Sequence, residues 1–249
     1  PVRSRSGRLF EFICGKPFAI ADRLEGQTIE RMNELECASM GEVLARMHLA
    51  AASFSRSQPN LRGLPWWLET APKVEPYLRA DQRELLSDEL EHQKKLQASE
   101  AYLALQTSAC HCDLFRNNAL IAGHGTDKAC VSGVFDFYFA GTVPWLYDLA
   151  VTVNDWCIDP DTGLLEEPLV RAFMQSYNAV RRLQAAERAL WRDMLRAGAL
   201  RFWMSRLFDY YCPREASLLK PHDPQHFERI LRDRRICALY WPEADETAR

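Results

Sequence analysis

The chain has 249 residues, 47% of them apolar and 26% charged, with a formal net charge of -3. That length and balance support a buried core in one large domain or two modest ones, and exclude a disordered or fibrous protein. The one basic cluster, Arg229, Arg232, Arg234 and Arg235, is interleaved with Glu228 and Asp233, so it reads as a solvated helix face and no nucleic-acid partner is expected.

Residues 9–13 read as a short strand, Gly15-Lys16-Pro17 as a turn, and residues 18–21 as a second strand, together a hairpin. Gly26 ends that pattern, and the chain beyond it is mostly helical. Residues 32–52 carry Leu35, Ala38, Val43, Leu44, Met47 and Ala51 at mostly helical spacing. Pro59, Pro65, Pro72 and Pro76 predict loops and short helical turns over 59–76. Residues 81–105 predict one long polar helix opened by a capping box of Asp81 and Glu84. Strands are predicted just before His111, at 119–122 and at 130–135, the last two joined by a turn at 123–127. Helices are then predicted over 144–156, 166–182, 186–210 and 224–240. This order is an α+β layout, a helical lobe with a small sheet at its edge.

Eight cysteines are spread along the chain with no Cys-x-x-Cys pair, which reads as reduced thiols in a cytoplasmic protein. Cys110-His111-Cys112 invites a zinc reading, but a structural zinc wants paired clusters and there is no second one. The first residues are polar, and the most apolar stretch, 131–153, contains Asp136, Pro144 and Asp148, so neither a signal peptide nor a membrane span is expected. The first residue is Pro, which suggests a processed, cut or partial product.

The chemistry concentrates in His111-Cys112-Asp113-Leu114-Phe115-Arg116-Asn117-Asn118, followed by Phe135-Asp136-Phe137. Phosphoryl transfer from ATP needs a carboxylate for the acceptor hydroxyl's proton, oxygen ligands for Mg2+, and charge placed around the phosphates. In a His-x-Asp-x-x-x-x-Asn loop, Asp113 can face the hydroxyl and Asn118 can turn its amide oxygen to the metal. Asp136, beyond a predicted hairpin, can bridge the metal to phosphate oxygens. His111 then braces the loop by hydrogen bonding. One His-x-Asp arises often by chance; the whole pattern in this strand context is specific. The plain alternative makes Asp113 and Asn118 turn residues and Asp136 a strand-end cap.

These motifs resemble those of the aminoglycoside phosphotransferase and choline kinase group, relatives of protein kinases. Residues 111–118, 133–140, 146–157 and 200–207, with Gly-Lys-Pro-Phe-Ala-Ile at 15–20 and Gly-Glu-Val-Leu-Ala-Arg-Met-His-Leu at 41–49, look like bacterial homoserine kinases of that fold. The resemblance covers essentially the whole chain. It implies a protein-kinase-like fold: residues 1–26 as a remnant of the ATP-binding lobe and hinge, and residues 27–249 as a mainly helical lobe with the catalytic loop. It implies ATP-dependent phosphorylation of the L-homoserine hydroxyl, a step towards threonine. Asp113 then matches the catalytic base, Asn118 and Asp136 the magnesium ligands, and Asp148 an aspartate that braces the catalytic loop. Asp22, Arg23, Leu24 and Glu25 match the hinge that meets the adenine; Asp22 and Arg23 are otherwise plain surface charges. Cys112 stands where relatives commonly show Gly or Ala, and Asn117 where they often have Asp.

Family members begin with a phosphate-covering loop, a strand Lys that grips the phosphates and a helix Glu that orients it. None is visible here: Lys16 is the only lysine before Lys73, and it precedes the hinge. Losing a fixed cation near the transferred phosphate costs a factor on the order of a thousand or more. For the acceptor, Arg201 and Arg206 are candidates for the carboxylate, Asp155 for the ammonium, and Trp156 or Trp203 for apolar walls. The bland readings are a solvated face for the arginines and core for the tryptophans. Two other functions stay open: a kinase of this fold acting on an aminoglycoside or choline, and a non-catalytic binding module.

Overall fold

The computed structural model describes residues 1–213 and 221–242. β1 (Glu11–Ile13) and β2 (Lys16–Phe18) form an antiparallel hairpin. Its turn is Cys14-Gly15, both with positive φ (51° and 76°), the two-residue turn whose twist suits a hairpin. Lys16 and Pro17 therefore lie in a strand and not in the expected turn. Pro17 is tolerated because the strand is an edge, where a missing N–H breaks no second ladder. No residue of 1–26 is buried.

α1 (Glu34–Ala51) opens with a capping box: Asn33 Oδ1 accepts from Glu36 N–H and Glu36 Oε2 accepts from Asn33 N–H, both at 3.0 Å. Its buried positions Cys37, Met40, Gly41, Leu44, Ala45 and His48 recur every three or four residues, which turns one face to the core. That face packs on α6 (Glu167–Val180). Gly41 sets the approach, since a Cβ there would lie 2.2 Å from the Phe173 carbonyl oxygen.

Where four prolines predicted loops, α2 (Leu64–Val74) is an eleven-residue helix. Pro65 sits in the first turn, where no N–H is needed. Burial of Trp67, Ala71 and Val74 outweighs the hydrogen bond lost at Pro72. The single helix expected over 81–105 is broken into α3 (Ala80–Gln97) and α4 (Glu100–Leu103). Ser99 stops the first by capping the second, its Oγ accepting from Tyr102 N–H at 3.3 Å. The cap of α3 also lies two residues earlier than expected. Gln82 Oε1 accepts from Arg79 N–H at 3.0 Å, while Asp81 pairs with Arg79 and Arg232.

β3 (Thr107–Cys110) pairs with β6 (Gly141–Pro144), and β4 (Ala119–Ala122) pairs with β5 (Cys130–Val134). The expected single sheet is thus two separate two-stranded ladders. β6 escaped prediction because its Gly-Thr-Val-Pro sequence carries turn residues at both ends. The helical lobe closes with α5 (Trp145–Trp156), α7 (Ala185–Tyr211) and α8 (Gln225–Arg234). Every residue of α5 is buried, so it is the axis of the core, with α7 against one side and α1 and α6 nearby. α8 ends six residues before the expected limit. The chain beyond it lays Tyr240 under Arg171 and Trp241 against Trp191 instead of continuing the helix. The architecture is α+β. Among the described residues no helix is long and apolar enough to cross a membrane.

Candidate active site

The loop after β3 is held from behind by one carboxylate. Asp148, on the first turn of α5, is fully buried. Its Oδ1 accepts from Cys112 N–H at 2.6 Å and its Oδ2 from His111 N–H at 3.2 Å. Oδ2 also meets His48 Nε2 at 3.1 Å, and His48 Nδ1 lies 2.8 Å from the Tyr177 hydroxyl. Burial pushes the Tyr177 phenol up, so it stays protonated and donates to Nδ1. That leaves Nε2–H to donate to Asp148. Burial alone raises the Asp148 pKa, but the His48 hydrogen bond and the loop N–H groups outweigh it and hold the carboxyl below its ordinary range.

The same loop is strapped to β5. His111 Nε2 donates to the Phe135 carbonyl at 2.9 Å, and its Nδ1 accepts from Asp113 N–H at 3.3 Å, which fixes a neutral ring in one tautomer. Phe135 N–H in turn donates to the Asn118 carbonyl at 3.0 Å. Two residues here have strained backbones: Cys112 (φ 64°) and Asp136 (φ 61°) are both left-handed without being glycine. Strain of this kind persists where the surroundings over-determine it, and it clusters at working sites.

Asp113, Asn118 and Asp136 line one cleft of about 680 Å³ together with Arg201 and Arg206 from α7. Asn118 spends its amide Nδ2 on the Asp113 carbonyl at 2.7 Å. Its Oδ1 is the end left for a cation. Asp136 is exposed and carries its carboxylate at the mouth of β5. An amide oxygen and a carboxylate on one cleft wall suit a hard divalent cation completed by phosphate and water. Asp113 is mostly buried, and that burial raises its pKa. The Arg201 guanidinium, 3.2 Å from Oδ1, opposes the rise.

The candidate acceptor residues separate. Arg201 and Arg206 line the cleft, as does Asp155. The Asp155 carboxylate, however, is engaged by Arg116, with Nε at 3.0 Å, Nη2 at 3.2 Å and the backbone N–H at 2.8 Å. Trp156 and Trp203 are fully buried, and Trp156 Nε1 donates to the Leu114 carbonyl at 3.1 Å beneath the loop. The hinge candidates Asp22–Glu25 form exposed coil against the β4–β5 hairpin. Leu24 lies on Gly133, whose Cβ, if present, would be 2.5 Å from Leu24 Cδ1, and the Glu25 carbonyl accepts from Ser132 Oγ. Gly26 (φ 115°) lets the chain then pair Gln27 with Ile121.

Sequence reasoning missed His48, Tyr177, Arg116 and Asp209, the last also in the cleft wall. His48 alone left a signal, a polar residue in phase with the apolar face of α1.

With this geometry in view, a family model described as the phosphotransferase enzyme family matches residues 6–186. The chain belongs to the phosphotransferase enzyme family. Among curated members, the homoserine kinase of Cupriavidus necator is 53% identical over 96% of this chain and 72% of its own length. The homoserine kinase of Burkholderia mallei is 51% identical over 98% of this chain and 74% of its own. The phosphotransferase fold is shared more widely. An ethanolamine kinase from Plasmodium vivax superposes with a TM-score of 0.60 at 12% identity, over 92% of this chain and 67% of that one. An aminoglycoside phosphotransferase from Alicyclobacillus acidocaldarius gives 0.60 at 16%, over 93% and 71%. The neighbours establish a protein-kinase-like fold, and the chain is a small-molecule phosphotransferase.

Proposed function

We propose that this phosphotransferase is a homoserine kinase, moving the γ-phosphoryl group of ATP to the side-chain hydroxyl of L-homoserine. The observation that carries the acceptor is identity above one half to curated homoserine kinases over nearly the whole chain. The cleft supports it: Arg201 and Arg206 reach it from α7, and a guanidinium suits an acceptor that carries a carboxylate.

Asp113 accepts the hydroxyl proton as the oxygen attacks phosphorus. Asp148, His48 and His111 hold the loop so that this carboxylate stays within reach. Asn118 and Asp136 are the residues that would hold Mg2+, which when bound supplies positive charge against the transferring phosphoryl group. Residues 22–25 offer backbone groups for the adenine.

The test is ADP release by this chain with magnesium-ATP and L-homoserine, beside Asp113→Asn. Turnover is expected to fall by about a hundred- to ten-thousand-fold in the variant, with the thermal midpoint little changed. Equal loss of stability and activity counts against Asp113 as the base. Turnover with choline or an aminoglycoside but not homoserine overturns the acceptor. Silence towards all three overturns the claim that the chain works as an enzyme.

A further inference from the structure

Arg201 is an anomaly in the cleft wall. It is only 4% exposed, yet its Nε and Nη2 have no hydrogen-bond partner. Its Nη1 points the other way, towards Ser205 Oγ at 3.4 Å. The Nη2 approach to Asp113 Oδ1 at 3.2 Å is an ion pair without hydrogen-bond geometry. A buried guanidinium edge left unsatisfied costs free energy that a ligand can recover. The group is also rigid, because its plane is gripped by two rings, with Cζ 3.8 Å from the Phe202 centroid and 4.9 Å from that of Phe139.

We propose that Arg201 is the residue that selects the acceptor by its negative charge, taking the acceptor's carboxylate in a side-on fork through Nε and Nη2. This rests on the homoserine kinase reading and deepens it. The fork is the geometry in which a guanidinium binds a carboxylate most strongly. Its position beside Asp113 requires the acceptor's hydroxyl and carboxylate to lie within a few ångströms of each other, as on a four-carbon hydroxy amino acid. The other arginines of the cleft are placed differently: Arg31 pairs with Asp159 and Asp161, and Arg62 lies over the Trp66 and Phe139 rings. Arg116 is taken by Asp155, and Arg206 lies over Phe227 with Nη1 towards the Asp223 carbonyl. The site takes short hydroxy acids and discriminates against alcohols of the same length that lack the carboxylate.

The experiment is calorimetric binding to the whole chain of L-homoserine and of the amino alcohol in which a hydroxymethyl group replaces the carboxylate. Wild type is expected to bind L-homoserine about a hundredfold more tightly, the scale of losing one partner of a buried hydrogen-bonded charge pair. In Arg201→Met that preference is expected to collapse towards unity through weaker homoserine binding alone. Arg201→Lys keeps a charge beside Asp113 but not the fork, so it guards against a folding defect and is expected to retain about a tenth of the preference. If Arg201→Met weakens both ligands equally, Arg201 only braces Asp113 and the proposal falls. Unchanged homoserine binding in that variant also overturns it. A wild-type chain that binds neither compound but phosphorylates choline or an aminoglycoside places the failure in the homoserine reading itself.

Discussion

At the scale of single residues, the site is built on positions that local rules disfavour. Cys112 is buried, left-handed and pinned by Asp148 through its own N–H. A small side chain tolerates that backbone at modest cost, whereas a β-branched one does not. Cys112→Val is expected to lose about 2–3 kcal/mol in urea unfolding, and activity with it. Away from the loop, on α8, His226 lies beside Phe227 and near Arg206 and Arg229. Burial first, then those arginines, lower its pKa to about 4. The unfolded chain takes up this proton near pH 6.5 and the folded chain only near 4. Stability is therefore lost as pH falls through that window. His226→Gln is expected to flatten the dependence of the melting midpoint on pH between about 4 and 6.5. The residues proposed to carry the reaction were legible in the sequence, since Asp113, Asn118 and Asp136, with His111 bracing their loop, fall within one short stretch with meaningful spacing. The residues that satisfy them were not, because His48 lies 100 positions from Asp148 and 129 from Tyr177.

At the scale of elements, helix existence followed from apolar period and caps, while the exceptions followed from burial. The prolines of 59–76 argued for loops, yet α2 forms because its apolar face has a core to enter. Conversely, the polar run 81–105 breaks at Ser99, where a side-chain cap outcompetes continuation. The most sensitive joint is α1 against α6. Gly41 brings the backbones so close that a methyl group meets the Phe173 carbonyl, and a backbone cannot swing aside as a side chain can. Gly41→Ala is expected to cost about 2 kcal/mol or more despite its better helix propensity, measured by chemical denaturation. Since α1 also carries His48, turnover is expected to fall further than stability alone explains.

At the scale of the whole molecule, burial is uneven. α5 lies wholly in the core, whereas Phe10, Phe12, Ile13 and Ile20 near the β1–β2 hairpin are more than half exposed. An exposed apolar edge pairs readily with another chain. Phe12→Lys with Ile20→Lys is expected to lower light scattering while leaving the thermal midpoint unchanged, because neither side chain is buried against the helical lobe. The sequence by itself determined the family motifs, the α+β class and the phosphotransferase chemistry, because the loop at 111–118 and the hairpin after it are local in the chain. Only the tertiary structure decided that Asp155 is spent on Arg116, that Trp156 is core, that β3 finds β6, and that Arg201 stands unsatisfied beside Asp113. Each of those depends on which helix faces meet, and a contact between distant helices is fixed by packing and not by spacing along the chain.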